Sequence, residues 1–339
     1  MKNLVQGFTL TTLLTVAACV DSGGNGNSAV NSDNFDFLAM LANYADSIII
    51  PNYEALAAAA APMAAEGGAI ASYCAAIGTG EESNARSVAQ RAWKDAMDAW
   101  QTSTLHELGP VLANNGAIRN RIHAYTRGTT LSSCGIDQAT VLADSDPNFN
   151  LRSRSSNQRG LGAVEYLLFN DNLEHTCPSQ ITETSNWNER PEAERKQLRC
   201  DYAIKLSADI ASAADTLVKA WLIDANNYRS QFINPSALQE NLNALSDALF
   251  YLDTDTKDAK LGIPLGISAA CSQVSCPSVI ESPYAEYSLT NIRNNLQSFL
   301  TLLNGGSGLG FDDIIAQAGV PEVTELMQQN SATAISEID

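Results

Sequence analysis

Apolar residues recur every three or four positions along most of the chain, the spacing that places side chains on one face of an α-helix. Sequence runs with strand-like alternation of apolar and polar residues are absent. The patterning therefore predicts an all-α fold in which antiparallel helices form two bundles packed side by side. The clearest stripe consists of Leu238, Leu242, Leu245, Leu249 and Leu252.

Prolines mark several predicted helix starts, because proline is tolerated in the first turn of a helix and not in its interior. A long helix is predicted from Pro191 to Asn226, another from Pro283 through Leu303, and a last one from Pro321. Pro51 falls inside an apolar pattern and predicts a kink there.

Residues 105–158 are dense in Gly, Asn, Ser and Asp and predict an irregular region. The region holds a basic cluster of Arg119, Arg121 and Arg127. Irregular segments of this length inside a compact domain are usually functional or disordered.

The segment 159–169 places a carboxylate within an apolar helix face. Glu165 lies in the middle of that face, so it must be paired, bound to a metal or protonated. Two interpretations are open: a functional site, or a buried ion pair with Arg159 one turn earlier. Two glycines at the start of the helix permit close approach of a backbone or a ligand, or serve only as a cap and a packing contact. The apolar face is formed by Leu161, Val164, Leu168 and Phe169.

This segment resembles the signature of the imelysin-like family, the imelysin peptidases and iron-regulated proteins of bacterial envelopes. The family pattern is Gly-x-His-x-x-Glu followed by Tyr-Leu-Leu-Phe, and Gly160, Glu165 and residues 166–169 match it. Gly162 stands where the pattern has His. The resemblance implies two bundle-like halves and a metal-dependent peptidase, but a zinc site without its imidazole lacks a preferred ligand. We therefore expect no zinc-peptidase activity.

Other segments extend the resemblance over nearly the whole chain. A Trp-rich helix is followed by a Gly-Pro stop, and two late segments and a Gly-rich turn are similar to family segments. They are residues 92–100 with Leu108-Gly109-Pro110, residues 260–265, residues 287–292 and residues 305–311.

The N-terminus predicts export and lipidation. Residues 1–18 read as a signal peptide, with Lys2 before an apolar core too short to span a bilayer. Residues 16–19, Val-Ala-Ala-Cys, resemble the lipobox of bacterial lipoproteins, in which Cys19 is lipidated. The alternative is ordinary cleavage that leaves Cys19 free. Two acyl chains would anchor the protein stably to a membrane.

The rest of the chain is divided on composition. Residues 19–34 are rich in Gly, Asn and Ser and predict a flexible tether. We place an N-terminal bundle half with the signature helix at residues 35–180 and a C-terminal half at residues 181–335.

Charge narrows the choice of partners. The sequence has 38 acidic and 20 basic residues, a formal net charge of −18. Such a surface repels nucleic acid and attracts cations or basic partners, so we expect no nucleic-acid partner. The alternative interpretation of the acidity is solubility alone.

Cysteine usage predicts an oxidising compartment. Apart from Cys19 the sequence holds six cysteines, an even number that permits three disulfides whose pairing sequence alone does not fix. Sequence order suggests pairing neighbours, and the absence of Cys-x-x-Cys makes metal binding the weaker alternative. The suggested pairs are Cys74 with Cys134, Cys177 with Cys200 and Cys271 with Cys276.

The candidate ligand or metal site gathers Glu165, Gly160, Gly162 and the pair His106-Glu107, which the resemblance places near the signature helix. His123 and His175 are the only other histidines, and a lone loop histidine is more often a surface residue than a ligand.

Three functional hypotheses follow. The first is a lipid-anchored extracytoplasmic protein of metal acquisition, with a cleft near Glu165 for iron or another divalent cation. It would face the periplasm or the cell surface, most naturally at the outer membrane, and would contact envelope metal-uptake proteins. The second is a zinc-type peptidase, which the lack of a His-Glu-x-x-His helix disfavours. The third is a scaffolding lipoprotein without metal.

Overall fold

The computed structural model of the chain describes residues 35–125, 130–222 and 227–339. The predicted signal peptide, the tether at residues 19–34 and the lipidation site at Cys19 lie outside the described residues. So does Arg127 of the basic cluster.

Helices dominate the described ranges, in which no strand occurs, so the all-α prediction is confirmed. Two π-helical segments, Tyr44–Ile49 and Leu252–Gly262, accompany the α-helices. The α-helices are α1 Phe37–Asn43, α2 Ile50–Ala64, α3 Ala69–Ala76, α4 Glu82–Ser103, α5 Ala113–Gly116, α6 Arg119–Ile122, α7 Ser133–Ser145, α8 Gly160–Phe169, α9 Glu192–Leu222, α10 Tyr228–Phe232, α11 Leu238–Leu249, α12 Ser288–Leu303, α13 Phe311–Gln317 and α14 Glu322–Ile338.

Two groups of helices pack together through α4. Helices α2, α3 and α8 contact α4 in one group, and α9 packs on those three helices. In the other group α12 contacts α4, and α14 and the second π-helical segment pack on α12. One continuous hydrophobic core runs through both groups, with Trp93, Trp100 and Trp221 almost fully buried. The proposed boundary between residues 180 and 181 stays a prediction.

The first helical stretch, Phe37–Ala76, is long and apolar enough to cross a membrane by length and composition. Its side chains Tyr44, Tyr53 and Leu56 are buried in the core, as expected of a central helix of a bundle. Pro51 lies in the first turn of α2, which follows the π-helical segment without a break, so its missing N–H removes a donor from a continuous helix.

Two predicted boundaries were wrong. The region 105–158 contains a regular helix, α7, that its polar composition concealed, and the Ser132 side chain caps it by accepting the Gly135 N–H. The helix predicted from Pro283 begins only at Ser288, because a turn with left-handed backbone at Ser282 and Glu286 comes first.

All six cysteines of the described ranges form disulfides, as predicted. The pairing is Cys74 with Cys200, Cys134 with Cys177, and Cys271 with Cys276. Two of the three suggested pairs were therefore wrong. Helix α3 packs against α9, which brings the Cα atoms of Cys74 and Cys200 within 5.5 Å although 126 positions separate them.

Candidate functional site

Helix α8 enters the core through a close backbone contact. Gly160 has a φ of +70°, and a Cβ there would lie 2.6 Å from the Ile122 carbonyl oxygen. Glycine is thus required for close packing of backbone on backbone. The same helix carries Glu165, whose exposure is 1%, so the predicted burial of this carboxylate is confirmed.

Glu165 holds the turn that precedes α12. Its Oε1 atom accepts the backbone N–H groups of Tyr284 at 2.8 Å and Ala285 at 3.0 Å, and the nearby Ser282 side chain lowers the pKa of the carboxyl. The ion pair considered with Arg159 is wrong, because Arg159 interacts with Asp209 instead. Glu165 therefore ties the signature helix to a distant segment.

Burial controls the ionisation of Glu165. Removal from water raises the pKa of this carboxyl to about 8, against the opposing effect of the two backbone donors, and the nearby Glu281 carboxylate raises it further. Glu165 is consequently protonated over much of the neutral range.

Glu281 is the second buried carboxylate, and it is surrounded by donors. Its Oε1 atom lies 3.0 Å from His123 Nε2 and accepts from Gln101 Nε2 at 2.9 Å. Its Oε2 atom lies 3.1 Å from the Lys260 ammonium and accepts from Asn291 Nδ2 at 3.0 Å. Burial opposes ionisation, but Lys260 and His123 hold the pKa of Glu281 below its usual range.

The Lys260 ammonium occupies the centre of this arrangement with no exposed side-chain surface. It donates to Gln101 Oε1 at 2.6 Å and to Asn295 Oδ1 at 2.8 Å, in addition to its contact with Glu281. A lysine ammonium has three donors, so all of them are used. The charge of Glu281 is thereby neutralised within the protein.

The two carboxylates influence each other electrostatically. Asn291 Nδ2 donates to Glu281 and, at 3.1 Å, to the Ser282 hydroxyl, and the Ser282 side chain in turn lowers the pKa of Glu165. We call the whole set the buried polar cluster. Its members are Gln101, His123, Glu165, Lys260, Glu281, Ser282, Asn291 and Asn295.

The structure does not bring the pair His106-Glu107 to Glu165. His106 Nε2 lies 3.0 Å from Asn52 Nδ2, and burial lowers the pKa of this imidazole to about 3. Glu107 lies 3.5 Å from Arg119, and burial raises the pKa of Glu107 to about 7. Glu107 influences Lys260 of the buried polar cluster electrostatically.

A different histidine approaches the signature helix. A Cβ at Gly162 would lie 3.7 Å from Cε1 of His123, so an imidazole borders the position where the signature has His. The sequence identifies His123 only as one of three histidines, because nothing in its local sequence indicates that it lies near Gly162. His175 lies elsewhere and accepts the Cys177 N–H at 3.1 Å.

The buried polar cluster does not suit a resident metal ion. Within the part of the chain that the structure describes, no group of three or more His, Cys, Asp or Glu side chains is placed to hold one. The Lys260 ammonium already lies among the oxygen atoms that a cation would need. The other groups around it, Gln101 and Asn295, are neutral amides, which suit the Lys260 ammonium better than they suit zinc.

The all-α fold, with the signature on α8 and Glu165 of that helix bound to a distant turn, defines an imelysin-like protein. A family model described as Imelysin matches residues 49–339, and the chain belongs to the imelysin family.

Two solved structures share the fold. An imelysin-like protein from Psychrobacter arcticum superposes with a TM-score of 0.65 and 16% identity, over 90% of this chain and 85% of that one. A protein from Parabacteroides distasonis, described as an iron-regulated protein A precursor, gives a TM-score of 0.63 and 18% identity, over 94% and 87%. No curated protein matches the sequence.

Proposed function

We propose that this chain is a lipid-anchored, extracytoplasmic binding protein of the bacterial envelope that takes part in iron acquisition. Three disulfides suit an oxidising compartment outside the cytoplasm. The Val-Ala-Ala-Cys sequence at residues 16–19 supports an anchor at Cys19. The structural neighbour described as iron-regulated supports the assignment to iron. The outer membrane is the proposed location.

The position of Lys260 is the observation that favours binding over catalysis. A zinc peptidase needs an open metal site whose bound water is activated. Here an ammonium neutralises Glu281, and backbone N–H groups occupy Glu165. The acidic surface is the proposed contact with metal-uptake partners. A cation would enter a cleft that forms when the turn at residues 282–287 moves away from Glu165.

Growth under iron limitation tests this proposal. A strain that lacks the gene should grow poorly in iron-poor medium and recover with the parent gene but less well with Cys19→Ala, which removes the anchor. Protein purified from native envelope should be analysed for iron, with Glu165→Gln as the matched variant. Equal growth of the deletion strain and its parent at every iron level would refute the role in iron acquisition.

A further inference from the structure

Two arginines donate to one carboxylate, that of Asp209, and a third, directly before α8, lies within electrostatic range of it. Arg121 donates from Nε at 3.0 Å and from Nη2 at 2.8 Å to Asp209 Oδ1. Arg152 donates from its own Nε to the same oxygen at 2.9 Å. Arg159, which directly precedes α8, interacts electrostatically with Asp209 and with both other arginines.

We call Arg121, Arg152, Arg159 and Asp209 the arginine cluster. Its positive charge exceeds the negative charge of Asp209. Two guanidinium groups contact the Asp209 carboxylate and a third influences it electrostatically, so the three positive charges exceed its single negative charge by two. The Arg159 Nε atom is buried and has no hydrogen-bond partner among the described residues. A buried donor without a partner costs stability, and a bound acceptor would relieve that cost.

The cluster is also accessible. The Arg152 side chain keeps 59% of its surface exposed, and it uses Nε for Asp209, which leaves its terminal nitrogens for a ligand. Arg121 is more enclosed, with 13% of its side chain exposed, and is fixed further by a bond from Nη2 to Ser212 Oγ at 3.1 Å. One enclosed and one exposed guanidinium therefore lie within electrostatic range of Arg159.

We propose that the arginine cluster binds a phosphate group. A phosphate group carries close to two negative charges at neutral pH, which matches the surplus charge. Guanidinium groups recognise phosphate through paired, charge-assisted N–H donors. The overall charge of −18 disfavours a long polyanion, so the ligand is a single phosphate, either free or on a lipid headgroup.

Titration calorimetry with inorganic phosphate at constant ionic strength tests the site. The protein is the full chain with Cys19→Ala, so that no acyl chain contributes. We expect saturable binding that weakens about tenfold or more in Arg152→Gln and in Arg159→Gln, since each removes charge-assisted contacts. Arg190→Gln is the control, because Arg190 pairs with the neighbouring Glu194 side chain on α9 and lies outside the cluster.

Vesicles distinguish the two sources of phosphate. Binding to phosphatidic acid in phosphatidylcholine vesicles without binding of free phosphate would assign the site to lipid, provided that Arg152→Gln abolishes it. Binding of free phosphate with the same variant effects would assign a small-ion site. Failure of both probes to bind the parent, or unchanged binding in both Arg152→Gln and Arg159→Gln, would overturn the proposal. Circular dichroism confirms that the variants are folded.

Discussion

Replacing Glu165 by glutamine should change how the stability of the protein depends on pH. A carboxyl whose pKa is raised to about 8 by folding binds its proton more tightly in the folded than in the unfolded chain. Its stabilising contribution is complete below the unfolded pKa of about 4.5 and is lost as the pH rises toward about 8. Glu165→Gln keeps an acceptor for the two backbone donors and removes the titration.

The magnitude follows from the shift. Each pKa unit corresponds to about 1.4 kcal/mol, so ionisation of Glu165 costs on the order of 4–5 kcal/mol once both forms of the chain are fully ionised. Between about pH 6 and about pH 8 the wild-type chain should lose roughly 2 kcal/mol through this group alone. The variant should not lose that part. Other titrating groups affect both proteins equally and cancel in the difference.

Urea unfolding at several pH values measures this difference. The free energy of unfolding of Glu165→Gln minus that of the parent should rise steadily from about pH 5 to about pH 8. Glu183→Gln, at an exposed position, provides the control and should give a flat difference. A flat difference for Glu165→Gln as well would refute the assignment of Glu165 as a buried, mostly protonated anchor.

Three further results are expected. Lys260→Met should destabilise the fold by about 3–5 kcal/mol in urea unfolding, because it leaves the Glu281 carboxylate buried without its cation. Adding Glu281→Gln should recover part of that loss, and additive losses would contradict the ion pair. Removing the Cys74–Cys200 bridge by paired Ala substitutions should cost about 5 kcal/mol, against about 2 for Cys271–Cys276, because the loops close over 126 and 5 positions; equal melting shifts would contradict this. The purified chain with zinc should not cleave an unfolded polypeptide, and chelator-sensitive cleavage would show that expectation to be wrong.

The all-α class and the burial of Glu165 could be predicted, because each depends only on the local sequence. The stripe from Leu238 to Leu252 has helical spacing, and Glu165 stands among apolar residues on every side. Both features need only the geometry of one helix. The number of disulfides was equally accessible, since it follows from an even count of cysteines in a chain whose sequence predicts export.

The partners of these residues were not predictable, because they come from distant parts of the chain. Glu165 meets Tyr284 across 119 positions, and Lys260 meets Gln101 across 159. Neither Lys260 nor Glu281 stands in a conspicuous apolar helix face, so sequence gives no sign of their burial. The wrong disulfide pairs have the same origin, since helix packing and not sequence order sets which cysteines meet.

The buried polar cluster contains two carboxylates whose pKa values are shifted in opposite directions. Burial favours the protonated form of Glu165, whereas Lys260 and His123 favour the ionised form of Glu281. Stability from Glu281 is present above its unfolded pKa and is lost as the pH falls through its lowered folded value, whereas that from Glu165 is lost as the pH rises toward about 8. Ser282 adjoins Glu281 in sequence, and Tyr284 and Ala285 of the same turn donate to Glu165, so movement of this turn disturbs both carboxylates. The signature glutamate is therefore linked to the Lys260 centre through the turn that it holds.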